Sequence, residues 1–149
     1  MSAVTGSLYL LAVAVGLSSA YFDGPFERNV NDFRTWRRYW EPIAEQADQG
    51  GRLEEIEQAM FERIAPLRKA LPVLRCTYFC AAVFSLWRYL AITGSATTSS
   101  EAIVARTMVS ALVLVAGAYQ VLLFFAMKQT RKDKHRFEFD ELLPNKPAS

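Results

Sequence analysis

Residues 107–127 read TMVSALVLVAGAYQVLLFFAM, 21 residues without a charge, closed by Arg106 on one side and Lys128 on the other. As a helix rising ~1.5 Å per residue, the run matches a hydrocarbon layer about 30 Å thick. Upstream, residues 76–92 read CTYFCAAVFSLWRYLAI and reach spanning length if residues 71–75 and Thr93 extend them, which Pro72 permits near a helix start. Residues 1–22 carry no charged side chain, are rich in small residues and end in the aromatic pair Tyr21–Phe22, suited to an interface. Between Cys76 and Met127 the only charges are Arg88, Glu101 and Arg106. A chain of 149 residues cannot bury three such stretches in one core. The expected fold is therefore an all-α integral membrane protein with three transmembrane helices, at 1–22, 71–93 and 107–127.

The basic residues set an orientation. Residues 23–75 hold Arg28, Arg34, Arg37, Arg38, Arg52, Arg63, Arg68, Lys69 and Arg75, and the segment after Met127 holds Lys128, Arg131, Lys132, Lys134, Arg136 and Lys146. The connection 94–106 holds only Arg106. By the positive-inside rule the N-terminus lies outside, while 23–70 and the tail 128–149 lie in the cytosol, with the bacterial inner membrane the expected location. Ser18-Ser19-Ala20 would suit a signal-peptide cleavage site. No basic segment precedes the apolar run, however, and cleavage with export would strand both basic regions on the wrong side.

Residues 23–70 read as an amphipathic helical hairpin. Asn29, Asn31 and Asp32 are candidate caps, and Phe33, Trp36, Trp40 and Ile43 fall on one helical face opposite Arg34, Arg37, Arg38 and Glu41. Rings beside arginines suit a membrane surface, and equally a helix packed on a neighbour. Pro42 is expected to break or kink the helix, and Gln49-Gly50-Gly51 to turn the chain through a left-handed glycine. A second helix follows with Leu53, Ile56, Met60, Ile64 and Leu67 at helical spacing, its continuity into the next span threatened by Pro66 and Pro72. The hairpin is too small for a core of its own, so its apolar faces must meet each other, the bilayer, another copy or a different subunit.

Several chemistries lack their residues. His135 is the sole histidine and sits in the charged tail, so no span offers an axial haem ligand or a histidine metal cluster. The spans contain no Asp or Glu for ion coupling, and the chain has no phosphate-binding glycine loop, nucleophile elbow or metalloprotease helix. Neither an enzyme, a cofactor nor a nucleic-acid partner is expected. Cys76 and Cys80, one turn apart, read as small apolar packing residues, with palmitoylation the main alternative.

Packing features are present instead. Ala12, Gly16 and Ala20 form a small-residue stripe at intervals of four, which lets another helix approach closely. Gln120 lies deep enough in the third span to want a hydrogen-bond partner on a neighbouring helix. Arg88, within Trp87-Arg88-Tyr89 near the outer end of its span, reads as a snorkelling side chain or a lipid or anion contact, with a partner's carboxylate as the alternative. The basic cluster 128–136 suits topology and attraction to anionic lipid headgroups. The segment beyond it fits an acidic dileucine signal or a docking peptide, but reads first as a disordered end.

These features point to a non-catalytic accessory, structural or assembly subunit of a larger membrane complex. Other membrane subunits would be the partners, and Phe33, Trp36, Trp40, Arg37 and Arg38 the cytosolic interface; self-association is also open. One alternative is a homo-oligomeric pore, since three spans, N-out and C-in, with a basic tail is similar in layout to one class of phage holins. The third span, though, offers a thin polar stripe for a pore. A membrane-bound immunity or regulatory protein is the other alternative.

Overall fold

The computed structural model describes residues 3–18, 22–92 and 99–142. Among them all regular structure is helical: α1 (Ala3–Leu17), α2 (Asp23–Gln46), α3 (Gly50–Ile92), α4 (Ser99–Arg136) and a π-helical stretch, Phe137–Leu142. At 43 and 38 residues, α3 and α4 are both long and apolar enough to cross a membrane. α1 is apolar but only 15 residues long. Only 22% of the most apolar window of α3 and 17% of that of α4 is buried, whereas the core helix of a soluble protein would be mostly covered.

Several local expectations are revised. α2 begins at Asp23, so Asn29 lies inside it and its amide donates back to the Pro25 carbonyl at 2.7 Å instead of capping. α2 runs through Pro42, and α3 through Pro66 and Pro72. Each proline strips a donor from the carbonyl four residues earlier, on Arg38, Glu62 and Arg68, and all three of those residues are exposed, as are the prolines. The loss therefore falls where no buried acceptor is orphaned.

The turn after α2 uses Asp48, not a glycine, in the left-handed region, with φ 55°. Asp48 N–H donates to Glu45 O at 3.2 Å and Gln49 N–H to Ala44 O at 2.8 Å, the paired bonds of a Schellman ending. Aspartate tolerates this backbone better than most residues. Gly50 and Gly51 instead open α3. The segment read as an external loop, 94–106, is already helical from Ser99. The basic cluster 128–136 forms the end of α4, and the segment beyond it, read as a disordered end, is π-helical over Phe137–Leu142, with Leu143 onward outside the described residues.

The chain divides into two compact units: Met1–Asp23 with Lys69–Gln120, and Gly24–Arg68 with Val121–Ser149. In the first, α1 buries Thr5, Gly6, Tyr9, Ala12 and Gly16 along one face. α3 contributes Leu71, Tyr78, Ala82 and Ser85, and α4 contributes Ala105, Leu112 and Tyr119, spaced by seven. A Cβ on Gly16 would lie 2.7 Å from both Ala82 Cβ and the Tyr78 carbonyl oxygen, so the close approach requires glycine. Phe22 closes edge-on against Tyr78 at 5.1 Å and Tyr119 at 5.7 Å, and the Tyr78 hydroxyl donates to Leu112 O. Asp23 pairs with Arg75. The unit's interior is mostly small or polar, while large apolar residues such as Leu10, Leu17, Phe79, Val83, Leu90 and Leu114 point outward. That inverts the ordinary arrangement of a water-soluble domain.

In the second unit, Leu53, Ile56, Met60, Ile64 and Leu67 of α3 are buried together with Phe26, Phe33 and Ala44 of α2. The core is completed by Leu123, Met127 and Thr130 of α4 and by Phe137, which is fully buried. The apolar faces of the hairpin thus find their cover within the chain. Arg63 pairs with Asp133 at 2.6 Å and Arg37 with Glu57, tying α3 to α4 and α2 to α3.

Candidate functional site

In each unit charged groups meet aromatic side chains. In the first unit Arg88 pairs with Glu101, which stands in the first turn of α4, where a carboxylate is favoured by the helix dipole. The guanidinium also lies 5.7 Å from the Trp87 ring centroid. Beside the pair opens a cavity of about 420 Å³, lined by Tyr9, Phe84, Trp87, Arg88, Ser100, Glu101 and Val104. Tyr9 is 1% exposed, packs against Ala105, Leu8, Tyr89 and Met108, and its buried hydroxyl has no hydrogen-bond partner. The sequence points first to snorkelling or a lipid or anion contact for Arg88, with a partner subunit's carboxylate as the alternative; the carboxylate it pairs with lies 13 residues downstream in the same chain. Glu101 is the sole acid among the three charges between Cys76 and Met127, which was the available signal.

In the second unit Phe33 and Trp36 stack at 5.4 Å, Trp36 meets Phe137 edge-on at 5.9 Å, and the Trp36 indole N–H donates to Glu138. The Lys134 ammonium lies 4.9 Å from the Trp36 ring centroid and 5.9 Å from that of Phe33. The predicted aromatic face is therefore largely occupied by residues 134–138 of the same chain. Trp40 remains half-buried and packs edge-on with Tyr39 at 5.2 Å, and Tyr39 is 66% exposed. Arg38 is exposed beside them. Arg37 is engaged by Glu57 and by Glu41 at 3.4 Å; the hydrogen bond to Glu57, aided by the charges of Glu57, Glu41 and Glu54 and opposed by partial burial, pushes its pKa up.

Of the packing candidates, Ala12 and Gly16 are buried within the first unit and Ala20 lies outside the described residues. Gln120 is exposed; the neighbouring Tyr119 is the buried polar residue, and its hydroxyl lacks a partner. One residue's difference in helical phase separates the two. Cys76 and Cys80 are free and exposed. No group of three or more His, Cys, Asp or Glu among the described residues could hold a metal ion.

Lys134 supplies a pH-dependent contact. Burial pushes its pKa below the ordinary 10.5, Glu138 and Asp32 oppose that shift, and Arg131 adds to it. Because the folded-state pKa is depressed, the unfolded chain binds more protons between that value and 10.5, so stability rises with pH through this window. Thermal unfolding at about pH 7 and about pH 10 should show the wild type gaining on Lys134→Met as pH rises. Parallel curves for the two proteins would contradict the shift.

The chain matches no protein-family model, no curated protein and no solved structure.

Proposed function

We propose that the chain is a three-span integral membrane protein, N-terminus outside and C-terminus in the cytosol, that serves without catalysis as an accessory subunit of a larger membrane complex. The observation that carries this reading is the inversion of the first unit, with small and polar residues inside and large apolar side chains outside. Such a surface is stable against lipid and unstable against water. α1 then lies beside the two long helices as part of the first span. Charge asymmetry supports a cytosolic position for residues 24–68 and 128–136, the polar part of the second unit. Its unspent surface is the edge formed by Tyr39, Trp40 and Arg38, because Phe33 and Trp36 are engaged internally. Aromatic and arginine side chains in this combination commonly anchor interfaces.

The orientation predicts that a single cysteine at Ser99, in a background lacking Cys76 and Cys80, reacts with an impermeant thiol reagent in intact cells, while one at Gln49 does not. The reverse pattern would overturn it. The subunit reading predicts that Tyr39→Ala with Trp40→Ala keeps the protein inserted but reduces the partner recovered in mild detergent; each anchor contributes on the order of 2 kcal/mol if central. A wild-type protein that purifies solely as its own oligomer and conducts ions in liposomes would establish the pore instead. Against a pore stands the scarcity of polar groups on the outward surface of the spans, where Ser110 and Gln120 are separated by apolar side chains.

A further inference from the structure

The cavity beside Arg88 joins three features. Its polar end holds a guanidinium and a carboxylate already paired with each other. Tyr9 lines its wall, and the Tyr9 hydroxyl is buried without a hydrogen-bond partner, a situation that normally costs stability unless something else completes the bond. Its rim is apolar, with Phe84, Trp87 and Val104 all exposed.

We infer that this cavity binds one zwitterionic phospholipid, with its phosphate held by Arg88 and Tyr9, its ammonium by Glu101, and an acyl chain along Phe84, Trp87 and Val104. The inference rests on the membrane placement proposed above. A guanidinium has five N–H donors, and the ion pair uses one nitrogen of Arg88, so donors remain for a phosphate oxygen. The Glu101 carboxylate likewise has one oxygen left to accept from a primary ammonium. Tyr9 then donates to the phosphate and its burial is no longer unsatisfied. Because the protein's pair is neutral as a whole, a headgroup carrying both signs complements it. A purely anionic headgroup meets Glu101 as a like charge. The ethanolamine headgroup, with a primary ammonium two carbons from the phosphate ester, has the donors this site calls for. Arg88 sits near the outer end of its apolar segment and Glu101 in the first turn of α4, ahead of the run 107–127, so the pair falls in the interfacial region where such headgroups lie.

The test uses the full chain in mild detergent, stripped of lipid, with binding of phosphatidylethanolamine, phosphatidylglycerol and the soluble headgroup glycerophosphoethanolamine followed by native mass spectrometry. Phosphatidylethanolamine should bind about tenfold more tightly than phosphatidylglycerol, and the soluble headgroup not measurably. Tyr9→Phe should lose about tenfold in phosphatidylethanolamine affinity while its lipid-free thermal stability is unchanged or higher, since it deletes a hydroxyl that has no partner there. Glu101→Gln should turn the preference towards phosphatidylglycerol. Equal binding of the two lipids, an unaltered affinity in Tyr9→Phe, or binding of glycerophosphoethanolamine as tight as that of the lipid would each overturn the inference. Release of the wild-type chain from membranes by alkaline carbonate would defeat the membrane reading itself; a retained chain that ignores headgroup identity defeats only the lipid site.

Discussion

Gly16→Leu should dislodge α1 from the first unit, whereas Gly117→Leu should leave the protein as stable as the wild type. Both glycines lie in apolar helical runs, and leucine forms helices better than glycine, so propensity alone favours both replacements. They differ in what surrounds them. At Gly16 even a Cβ would come within 2.7 Å of the Tyr78 carbonyl oxygen and the Ala82 Cβ, neither of which is the far end of a flexible side chain. At Gly117 nothing lies within 4 Å. A leucine at 16 must therefore push two helix backbones apart, at a cost of about 3 kcal/mol or more from overpacking and from the dispersion attraction forfeited where the helices separate. The measurement is thermal unfolding of the detergent-solubilised proteins. Equal melting temperatures for the two variants would show that α1 does not pack through Gly16.

Phe33→Ala should loosen the second unit by about 3–5 kcal/mol, the usual cost of emptying a large aromatic site in a core. Phe33 is 1% exposed, stacks on Trp36 and lies beneath Lys134, so its loss opens a cavity at the seam between α2 and the end of α4. Two readouts follow. With Trp40→Phe and Trp87→Phe in the background, emission from Trp36 should shift to longer wavelength as its ring becomes hydrated. Trypsin should cleave at Arg131, Lys132 or Arg136 well before it does so in the parent. Tyr39→Ala removes an equally large but mostly exposed ring and should change neither. A trypsin-resistant Phe33→Ala protein with unshifted emission would mean that the aromatic cluster does not hold the C-terminal helix.

Much of the helical framework is legible in the residues because it follows from local periodicity. The stripe Leu53, Ile56, Met60, Ile64 and Leu67 is buried, and the two long apolar helices carry the runs at 76–92 and 107–127. Helical spacing and side-chain polarity are properties of neighbouring residues and need no knowledge of the rest of the chain. The small residues Ala12 and Gly16 announce a close helix contact for the same reason. Prolines mislead a local reading. Whether Pro42, Pro66 or Pro72 ends a helix depends on whether the deprived carbonyl is buried, which the surrounding packing determines.

The sequence by itself determined the helical class, the apolar runs, the asymmetry of basic charge and the face each amphipathic segment would bury. Only the tertiary structure decided what covers those faces. Trp36 meets Glu138, 102 residues away, Arg63 meets Asp133, 70 away, and Arg88 meets Glu101 across a helix connection. The C-terminal segment, too polar to announce a fold of its own, becomes ordered helix because Phe137 and Thr130 complete a core that α2 and α3 leave open. An amphipathic stripe specifies that it must be buried, since the free energy scales with apolar area; it does not specify by what, because that driving force has no direction. The choice among possible partners rests on steric fit and on pairing of charges, and both exist only once the helices are brought together.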